Sequence, residues 1–461
     1  MPADPYDLIV LGAGSAARAG AQRAAQEHGA KVALIESTRW GGSCPNVACK
    51  PTKAYLVVAE LVHDVNRLAP VVGIDVGPAR VDLARVKARK DALKKPQEEW
   101  VQQLREQGYD TYDGEAELEA ADTVRVDDDE LVAERILIAT GSRTAIPPIE
   151  GIDDIDWIDH VSALELTELP ESLLVVGGGP VGLELGQAFS RFGSQVTVVH
   201  SRDHLAPRTD EQAADELARA LRDEGIELVM SSRVQRVEKR GDEVAATIVP
   251  KEGDGSREVR VTHVLLASGR VPNVEALNVE RIGIERHKAG IVVDEHLRTT
   301  VEGIWGAGDV TGLAQLTPIA QYQARLAVDD MFTEDAPAAD YSVLPTSIFT
   351  DPEVAGVGLT EQDARAEGLD FETSEHDGVQ RAQFIEAEHI LYKLVFERES
   401  RRIRGIHVVA RNAGDIVQGF SLAMKLGATV DDIITMHHVY PTFGEGLKAA
   451  AEKARPVAVE A

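Results

Sequence analysis

The sequence predicts an α/β fold. Short apolar runs alternate with helix-like stretches along most of the chain, the pattern of a parallel sheet wound with helices. One unit of about thirty residues, strand–glycine turn–helix–strand, occurs twice, at 7–36 and 173–200, the size of a βαβ unit. From about residue 344 the alternation gives way to strand-like runs (Ile390–Phe396, Ile403–Ala410) and an amphipathic helix (Asp415–Leu426), which reads as a third, α+β domain. The expected boundaries are 1–150 with 275–343, then 151–274, then 344–461.

In order, the first unit places a strand before Gly12-Ala13-Gly14-Ser15-Ala16-Ala17, an alanine-rich helix after it, and a strand Lys31–Ile35 ending at Glu36. Residues 85–107 read as charged and helical, with Lys94, Lys95, Glu98, Glu99 and Arg105 on a solvated face, followed by acid-rich hairpins to about residue 135. The second unit runs from Leu173–Val176 through Gly177-Gly178-Gly179-Pro180-Val181-Gly182 to Gln195–Val199 and then His200. The tail from Arg455 is expected to fray.

Composition bounds the function. At roughly 150 residues per domain, 461 residues suggest about three domains. Hydrophobic residues at 44% and charged residues at 27% exclude a wholly disordered chain. No run approaches the ~18 apolar residues of a membrane span. The N-terminus has neither a basic start nor a long apolar stretch, so no secretory signal is read and the cytoplasm is expected. Forty-eight basic against 77 acidic residues give a net charge of −29. Such a surface repels phosphate backbones and argues against nucleic acid and anionic membranes as partners. The acidity fits adaptation to high salt and ordinary solubility equally well.

The first glycine turn has the context that a dinucleotide site requires. Gly12 permits the tight turn, Gly14 lets a pyrophosphate approach the backbone, and Ala17 is small enough for close helix–strand contact. The helix N-terminus faces the phosphates, and Glu36, 24 residues after Gly12, can accept from a ribose diol. The second turn keeps Gly177, Gly179 and Gly182 but carries His200, Ser201 and Arg202 where the first has Glu36. A carboxylate there would repel a 2′-phosphate, so NADP is favoured over NAD. Two such sites imply two dinucleotides that exchange electrons, most simply a flavin and a nicotinamide.

The only cysteines are Cys44 and Cys49. A pair this close reads as a redox or metal pair; with no histidine cluster or second cysteine pair, the metal reading is the poorer one. Five residues of ideal helix rise about 7.5 Å, whereas a disulfide needs Cα atoms within about 6.8 Å. Cys44 is therefore expected in an entering turn, with Pro45 near the first helical position and Cys49 further in, where the helix N-terminus favours a thiolate.

These residues resemble the FAD-dependent pyridine nucleotide–disulfide oxidoreductases, a family that includes glutathione reductase, dihydrolipoyl dehydrogenase and mercuric reductase. Gly12–Ala17 with Glu36 is similar to the FAD motif. Gly42–Lys53, including Ser43, is similar to the active-disulfide signature, with Ala48 where glycine is usual. Ala139-Thr140-Gly141-Ser142 and Ala267-Ser268-Gly269-Arg270 resemble the two linker turns. Gly306-Ala307-Gly308-Asp309 resembles the second FAD motif, and Leu316-Thr317-Pro318 the start of the flavin-side helix. The resemblance implies two Rossmann-like domains, for FAD and NAD(P), a C-terminal α+β dimerisation domain, and a homodimer. It implies that Cys49 faces the flavin and Cys44 the acceptor, that Lys53 lies near the flavin and pairs with Glu184, that Asp309 holds the ribityl chain, and that Ala116 contacts FAD.

One segment departs from the family. Where His-Pro-Thr-x-x-Glu is usual, this chain has Tyr440-Pro441-Thr442-Phe443-Gly444-Glu445. The usual histidine is an acid/base with a pKa near neutrality; tyrosine, ordinarily titrating near 10, is a poor proton shuttle but a good hydrogen-bond donor. His438 lies two residues earlier, and on a strand it would share a face with Tyr440. Tyr440 through Lys448, and Arg381-Ala382, resemble the mercuric reductase branch, although no further cysteine occurs to pass a metal ion inward. The acceptor implied is a soft metal ion or a small disulfide. Dihydrolipoyl dehydrogenase with His438 as acid/base, and a flavin-bound redox sensor with little turnover, are the alternatives.

Overall fold

The structure, a computed structural model, describes residues 5–454; the tail from Arg455 lies outside the described residues. The chain forms two compact units. One comprises the residues up to Thr52, Ala88–Ala145 and Gly269–Asp340; the other comprises Lys53–Lys87, Ile146–Ser268 and the residues from Tyr341 onward.

The first unit is built on a five-stranded parallel sheet in the order Ile304–Gly306, Ile136–Ile138, Leu8–Leu11, Val32–Glu36, Asp110–Asp113. Leu8–Leu11 is buried along its whole length, as a strand covered on both faces must be. Leu8, Val10 and Leu34 pack with Ala16, Ala17, Ala24, Ala324 and Val328 of the Ser15–His28 and Thr317–Phe332 helices. Ile9 and Leu11 face the other way, against Leu118, Val124 and Val126 of the antiparallel strands Ala116–Ala120 and Thr123–Val126. The small residues of the first helix let it lie close to the sheet: a Cβ on Gly20 would stand 2.6 Å from a Leu137 methyl.

The second unit carries a four-stranded parallel sheet in the order Glu227–Val229, Gln195–Val199, Ser172–Val176, His263–Leu266. A three-stranded antiparallel sheet, Ser232–Arg240, Glu243–Pro250 and Arg257–Val261, accompanies it. The C-terminal part is a five-stranded antiparallel sheet whose centre is Ile403–Ala410. The Pro180–Phe192 helix is fixed to this part by two polar side chains. Arg191, with 6% of its side chain exposed, donates to Glu224 at 2.6 and 2.9 Å and to the Asp351 carboxylate at 3.0 Å. Gln187 donates to the Asp351 carbonyl at 2.7 Å.

The stretch 85–107 is helical, as expected, in two pieces, Leu83–Ala92 and Gln97–Glu106. Pro96 is the N-cap of the second, and proline disfavours the helical conformation of the residue before it. Glu98, Glu99 and Arg105 are exposed as expected. Lys95 instead lays its ammonium over the Trp100 ring, 4.8 Å from the centroid.

Candidate active site

Cys44 sits in a separate helical turn, Ser43–Asn46, and Cys49 opens the long helix Cys49–His63. The expectation that Cys49 lies further in is corrected by Asn46. Its side-chain amide donates to the carbonyls of Trp40 at 2.9 Å and Gly42 at 2.7 Å, turning the chain back before the helix starts. Two glycines make the turn possible. Gly41 has φ +87° and would drive a Cβ to 2.6 Å from the Trp100 ring; Gly42 has φ +74° and would drive one to 2.4 Å from the Gly14 Cα. The thiol loop thus rests directly on the first glycine loop.

Both cysteines are thiols, Cys44 half-buried and Cys49 exposed. The Thr317 hydroxyl, at the head of the Thr317–Phe332 helix, lies 3.7 Å from the Cys49 sulfur. The Cys44 thiol is pulled down to about 6, chiefly by its hydrogen bond with Cys49. Burial opposes this, while the Thr317 hydroxyl and the charges of Lys50 and Arg18 add to it. Cys44 is thus the thiol of the pair that ionises more readily, with its thiolate held by the Cys49 hydrogen bond. Cys49 at the first helical position adds the favourable end of the helix dipole.

The first glycine loop is shaped for backbone contact. A Cβ on Gly12 would stand 2.5 Å from the Ala139 carbonyl oxygen. Gly14 is the N-cap of the Ser15–His28 helix and offers no side-chain cap, so the first-turn N–H groups stay available. Glu36 ties this loop together: Oε2 accepts from Ala13 N at 2.9 Å, and Oε1 accepts from Thr38 N, Thr38 Oγ1 and Arg39 N at 2.8–3.0 Å. Oε2 keeps a lone pair for a further donor. The two linker turns pair with each other. Ser142–Thr144 and Arg270–Pro272 form an antiparallel ladder, with Gly141 and Gly269 at its ends. Thr140 Oγ1 donates to the Asn273 carbonyl at 2.6 Å. Asp309 accepts from Ser142 Oγ at 2.6 Å. Ala116 is buried at the start of its strand, and Leu316 is the N-cap before Thr317.

In the second unit, Lys53 Nζ donates to Glu184 Oε2 at 2.6 Å, and Glu184 Oε1 accepts from Phe349 N at 3.0 Å. Lys53 follows Cys49 by one helical turn and also lies over the Phe349 ring at 4.2 Å. A Cβ on Gly177 would meet the Ala267 oxygen at 2.3 Å, and one on Gly182 the Gly177 oxygen at 2.2 Å, whereas Gly179 faces open space. His200 is buried, and its Nδ1 accepts from Gly178 N at 3.1 Å. Burial, and then the charges of Arg202 and His204, push its pKa down. His200 is therefore a neutral clamp on the glycine loop, with exposed Arg202 beside it and the Asp203 carboxylate paired with His204 at 2.9 Å.

The segment 437–440 is not a strand. The His438 Nε2 lies 2.9 Å from the Ile433 carbonyl, to which it donates. Tyr440 is 68% exposed, and Glu445 begins the Glu445–Lys453 helix. The shared-face argument for His438 and Tyr440 thus loses its basis. Among the described residues no cluster of histidine, cysteine and carboxylates could hold a metal ion. Sequence reasoning missed three residues around the thiol loop: Trp100 beneath Gly41, Arg18 over the Trp100 ring, and Gln97, whose amide donates to Asn46 Oδ1 at 3.3 Å; of the loop's own residues, Asn46 lies inside the cysteine spacing.

A thiol pair opening a helix beside a parallel-sheet glycine loop, with a second glycine loop in the same chain, defines a disulfide oxidoreductase that works with two dinucleotides. The pyridine nucleotide-disulphide oxidoreductase family matches residues 6–324, and its dimerisation domain matches residues 344–451. The chain belongs to this family and is a flavoprotein disulfide oxidoreductase. It is 37% identical to a mercuric reductase of Lysinibacillus sphaericus over 456 residues, 97% of this chain and 82% of that protein. It is 30% identical to the mitochondrial dihydrolipoyl dehydrogenase of Pisum sativum over 459 residues, 97% of this chain and 91% of that protein. Among solved structures it is similar to the HOCl-induced flavoprotein disulfide reductase RclA from Escherichia coli, with a TM-score of 0.86 at 28% identity, covering 98% of this chain and all of that one. A Cu(II) complex of the same reductase matches with a TM-score of 0.83 at 28% identity, covering 98% of this chain and 100% of that one. FAD and a pyridine nucleotide are the cofactors expected for the family. Both glycine loops fit such ligands, because side chains at Gly12 and Gly177 are excluded by backbone oxygens while the helix N-termini stay uncapped. Among the described residues no helix is long and apolar enough to cross a membrane.

Proposed function

We propose that the protein is an NAD(P)H-dependent reductase of the mercuric-reductase-like branch, whose Cys44–Cys49 couple serves a soft metal ion or a small disulfide. The observation that carries this is the thiol pair itself: Cys44 hydrogen-bonded to Cys49, with the Thr317 hydroxyl 3.7 Å from the Cys49 sulfur, on a chain with Tyr440 rather than histidine ahead of Glu445. In our assignment residues 1–150 and 275–343 bind FAD, 151–274 bind NAD(P), and 344–461 dimerise. When bound, the flavin supplies two-electron transfer between nicotinamide and sulfur.

The chain's own residues do the rest. Gly12, Gly14 and Ala17 admit the pyrophosphate, Glu36 accepts from the ribose, and Asp309 holds the ribityl chain. Lys53, offset by Glu184, would supply a cation that stabilises the reduced, anionic flavin. Each turnover consumes NAD(P)H and one proton and converts the disulfide to two thiols. With a disulfide acceptor, the Cys44 thiolate attacks one acceptor sulfur and expels the other as a thiolate. The Cys49 thiolate then attacks Cys44, restoring the disulfide and releasing the second acceptor thiol. With a soft metal ion, two thiolates are suitable ligands. Tyr440 donates a hydrogen bond to the acceptor rather than shuttling its proton. Gly177, Gly179 and Gly182 receive the nicotinamide cofactor. NADPH is preferred, because neutral His200 and Arg202 set no carboxylate against a 2′-phosphate.

The protein acts as a homodimer. Leu422, Leu426, Met436, Val439 and Tyr440, all within the matched dimerisation domain, are between 46% and 79% exposed in the single chain, large apolar side chains that a partner surface would cover. The cytoplasm, where thiols stay reduced, is the compartment that suits it.

The deciding experiment counts thiols in the denatured holoenzyme before and after one equivalent of NADPH, then offers Hg(II), a small disulfide and lipoamide as acceptors. Two new thiols, with fast reoxidation by Hg(II) or the small disulfide, are expected. Fast turnover with lipoamide alone would establish the dehydrogenase reading. Two new thiols that no acceptor reoxidises would mark a sensor.

A further inference from the structure

In a chain with 77 acidic and 48 basic residues, the charges acting most strongly on Cys44 are both cationic, Arg18 and Lys50. Lys50 is exposed and stands next to Cys49. Arg18 rises from the first turn of the Ser15–His28 helix and is partly buried. Its guanidinium lies over the Trp100 ring, 4.7 Å from the centroid. Its Nε is buried without a hydrogen-bond acceptor, and among the described residues no carboxylate pairs with it. Gly41 packs on the same Trp100 ring, so a single aromatic platform seats both the arginine and the loop that carries Cys44.

A buried guanidinium keeps its charge, and leaving it without a counter-ion is costly. Burial pulls Arg18 down and the Cys44 thiolate pulls it back up, so part of the missing counter-charge is the sulfur.

We propose that Arg18, seconded by Lys50, makes the Cys44 side of the site an anion-accepting one, so that favoured acceptors carry a carboxylate or a similar negative group near the atom that Cys44 attacks. This deepens the proposed function and rests on Cys44 being the acceptor-side thiol. A soft metal ion would then arrive best as an anionic complex, and a small disulfide best as one bearing carboxylates.

Alkylation of the holoenzyme tests it, after reduction with one equivalent of NADPH. Iodoacetate and iodoacetamide react alike: the thiolate sulfur bonds to the methylene carbon and iodide leaves. Only the first is anionic, and peptide mass spectrometry locates the label. The iodoacetate-to-iodoacetamide rate ratio at Cys44 should fall about fivefold in Arg18→Met, the size of one partly screened charge at short range. It should stay near wild type in Arg18→Lys and fall by a smaller factor in the exposed Lys50→Gln. The Arg18→Met effect should shrink in about 1 M salt, where the Debye length is near 3 Å.

An unchanged ratio in both Arg18→Met and Lys50→Gln overturns the proposal. So does loss of flavin from Arg18→Met with an unchanged ratio in the remaining holoenzyme, which would make a cofactor phosphate the partner of Arg18. Failure of NADPH to make wild-type Cys44 alkylatable would instead refute the underlying reading. The ratio measured on dithiothreitol-reduced holoenzyme would still decide the anion question.

Discussion

Replacing Gly42 by alanine should loosen the thiol loop and the flavin together. Gly42 has φ +74° and ψ −171°, a region held almost only by glycine, where another residue costs about 1–3 kcal/mol. The new Cβ would lie 2.4 Å from the Gly14 Cα, against ordinary carbon contacts of about 3.5–4.0 Å. One loop must therefore retreat by roughly 1 Å, and overpacking of this kind costs a further 1–3 kcal/mol or so. The sum is about 4 kcal/mol, carried by the unit that holds the first glycine loop. The two units need not melt together, so the suitable assay is the temperature at which flavin fluorescence is released. At roughly 2–4 °C per kcal/mol, the release midpoint should drop by about 8–16 °C. Gly378→Ala is the control: an added Cβ there would meet nothing within 4 Å and φ is not positive, so alanine should be close to neutral. A Gly42→Ala protein with full flavin content and a midpoint within about 2 °C of wild type would refute the contact between the two loops as a determinant of either.

Arg191→Met removes the cation between Glu224 and Asp351 and leaves two carboxylates facing each other; with 6% of the arginine side chain exposed, breaking such a buried pair should cost about 3–5 kcal/mol. A urea midpoint for the second unit that moves by less than the equivalent of about 1 kcal/mol would contradict the buried-pair account. The Cys44–Cys49 pair ionises near 6 in the fold, below an unfolded thiol at about 8.5. Between these values the unfolded chain binds more protons, so the stability of the reduced protein rises with pH across the window and is lost as pH falls through 6. The oxidised protein has no thiols there and should lack this slope; parallel melting curves for the two forms would sink the assignment. Tyr440→His should give measurable dihydrolipoamide turnover with NAD, a reaction that wild type performs slowly. Equal rates in the two proteins would show that residue 440 does not set the acceptor.

Both βαβ units are legible in the sequence nearly to the residue. Gln195–Val199 matches the expected strand, and Leu173–Val176 gains only Ser172. The signal there is local: a short apolar run, a glycine turn and a small-residue helix all report on the same parallel sheet. The Lys53–Glu184 pair is accessible only through the family resemblance, since 131 residues separate the partners. The helix break at Pro96 is available in the residue type but is masked by the charge pattern around it. Trp100 and Arg18 give no warning, because a tryptophan under a thiol loop looks in sequence like any core aromatic. His200 reads in sequence as a neutral substitute for a ribose-binding carboxylate. Its hydrogen bond to Gly178 depends on how a strand end meets a loop 22 residues earlier, which spacing alone does not encode.

The discontinuous winding of the first unit has a consequence for how the protein is made. The strand Leu8–Leu11 leaves the ribosome early, yet the sheet that receives it is completed by Ile304–Gly306. At about 5–20 residues per second, the first strand waits roughly 15–60 s for its last partner. Over that interval Cys44 and Cys49 are already synthesised, while Thr317, the hydroxyl that will sit beside them, does not yet exist. The nascent chain therefore carries two bare thiols for most of its own synthesis, and the state of its surroundings, rather than its fold, decides whether they reach the finished enzyme correctly paired.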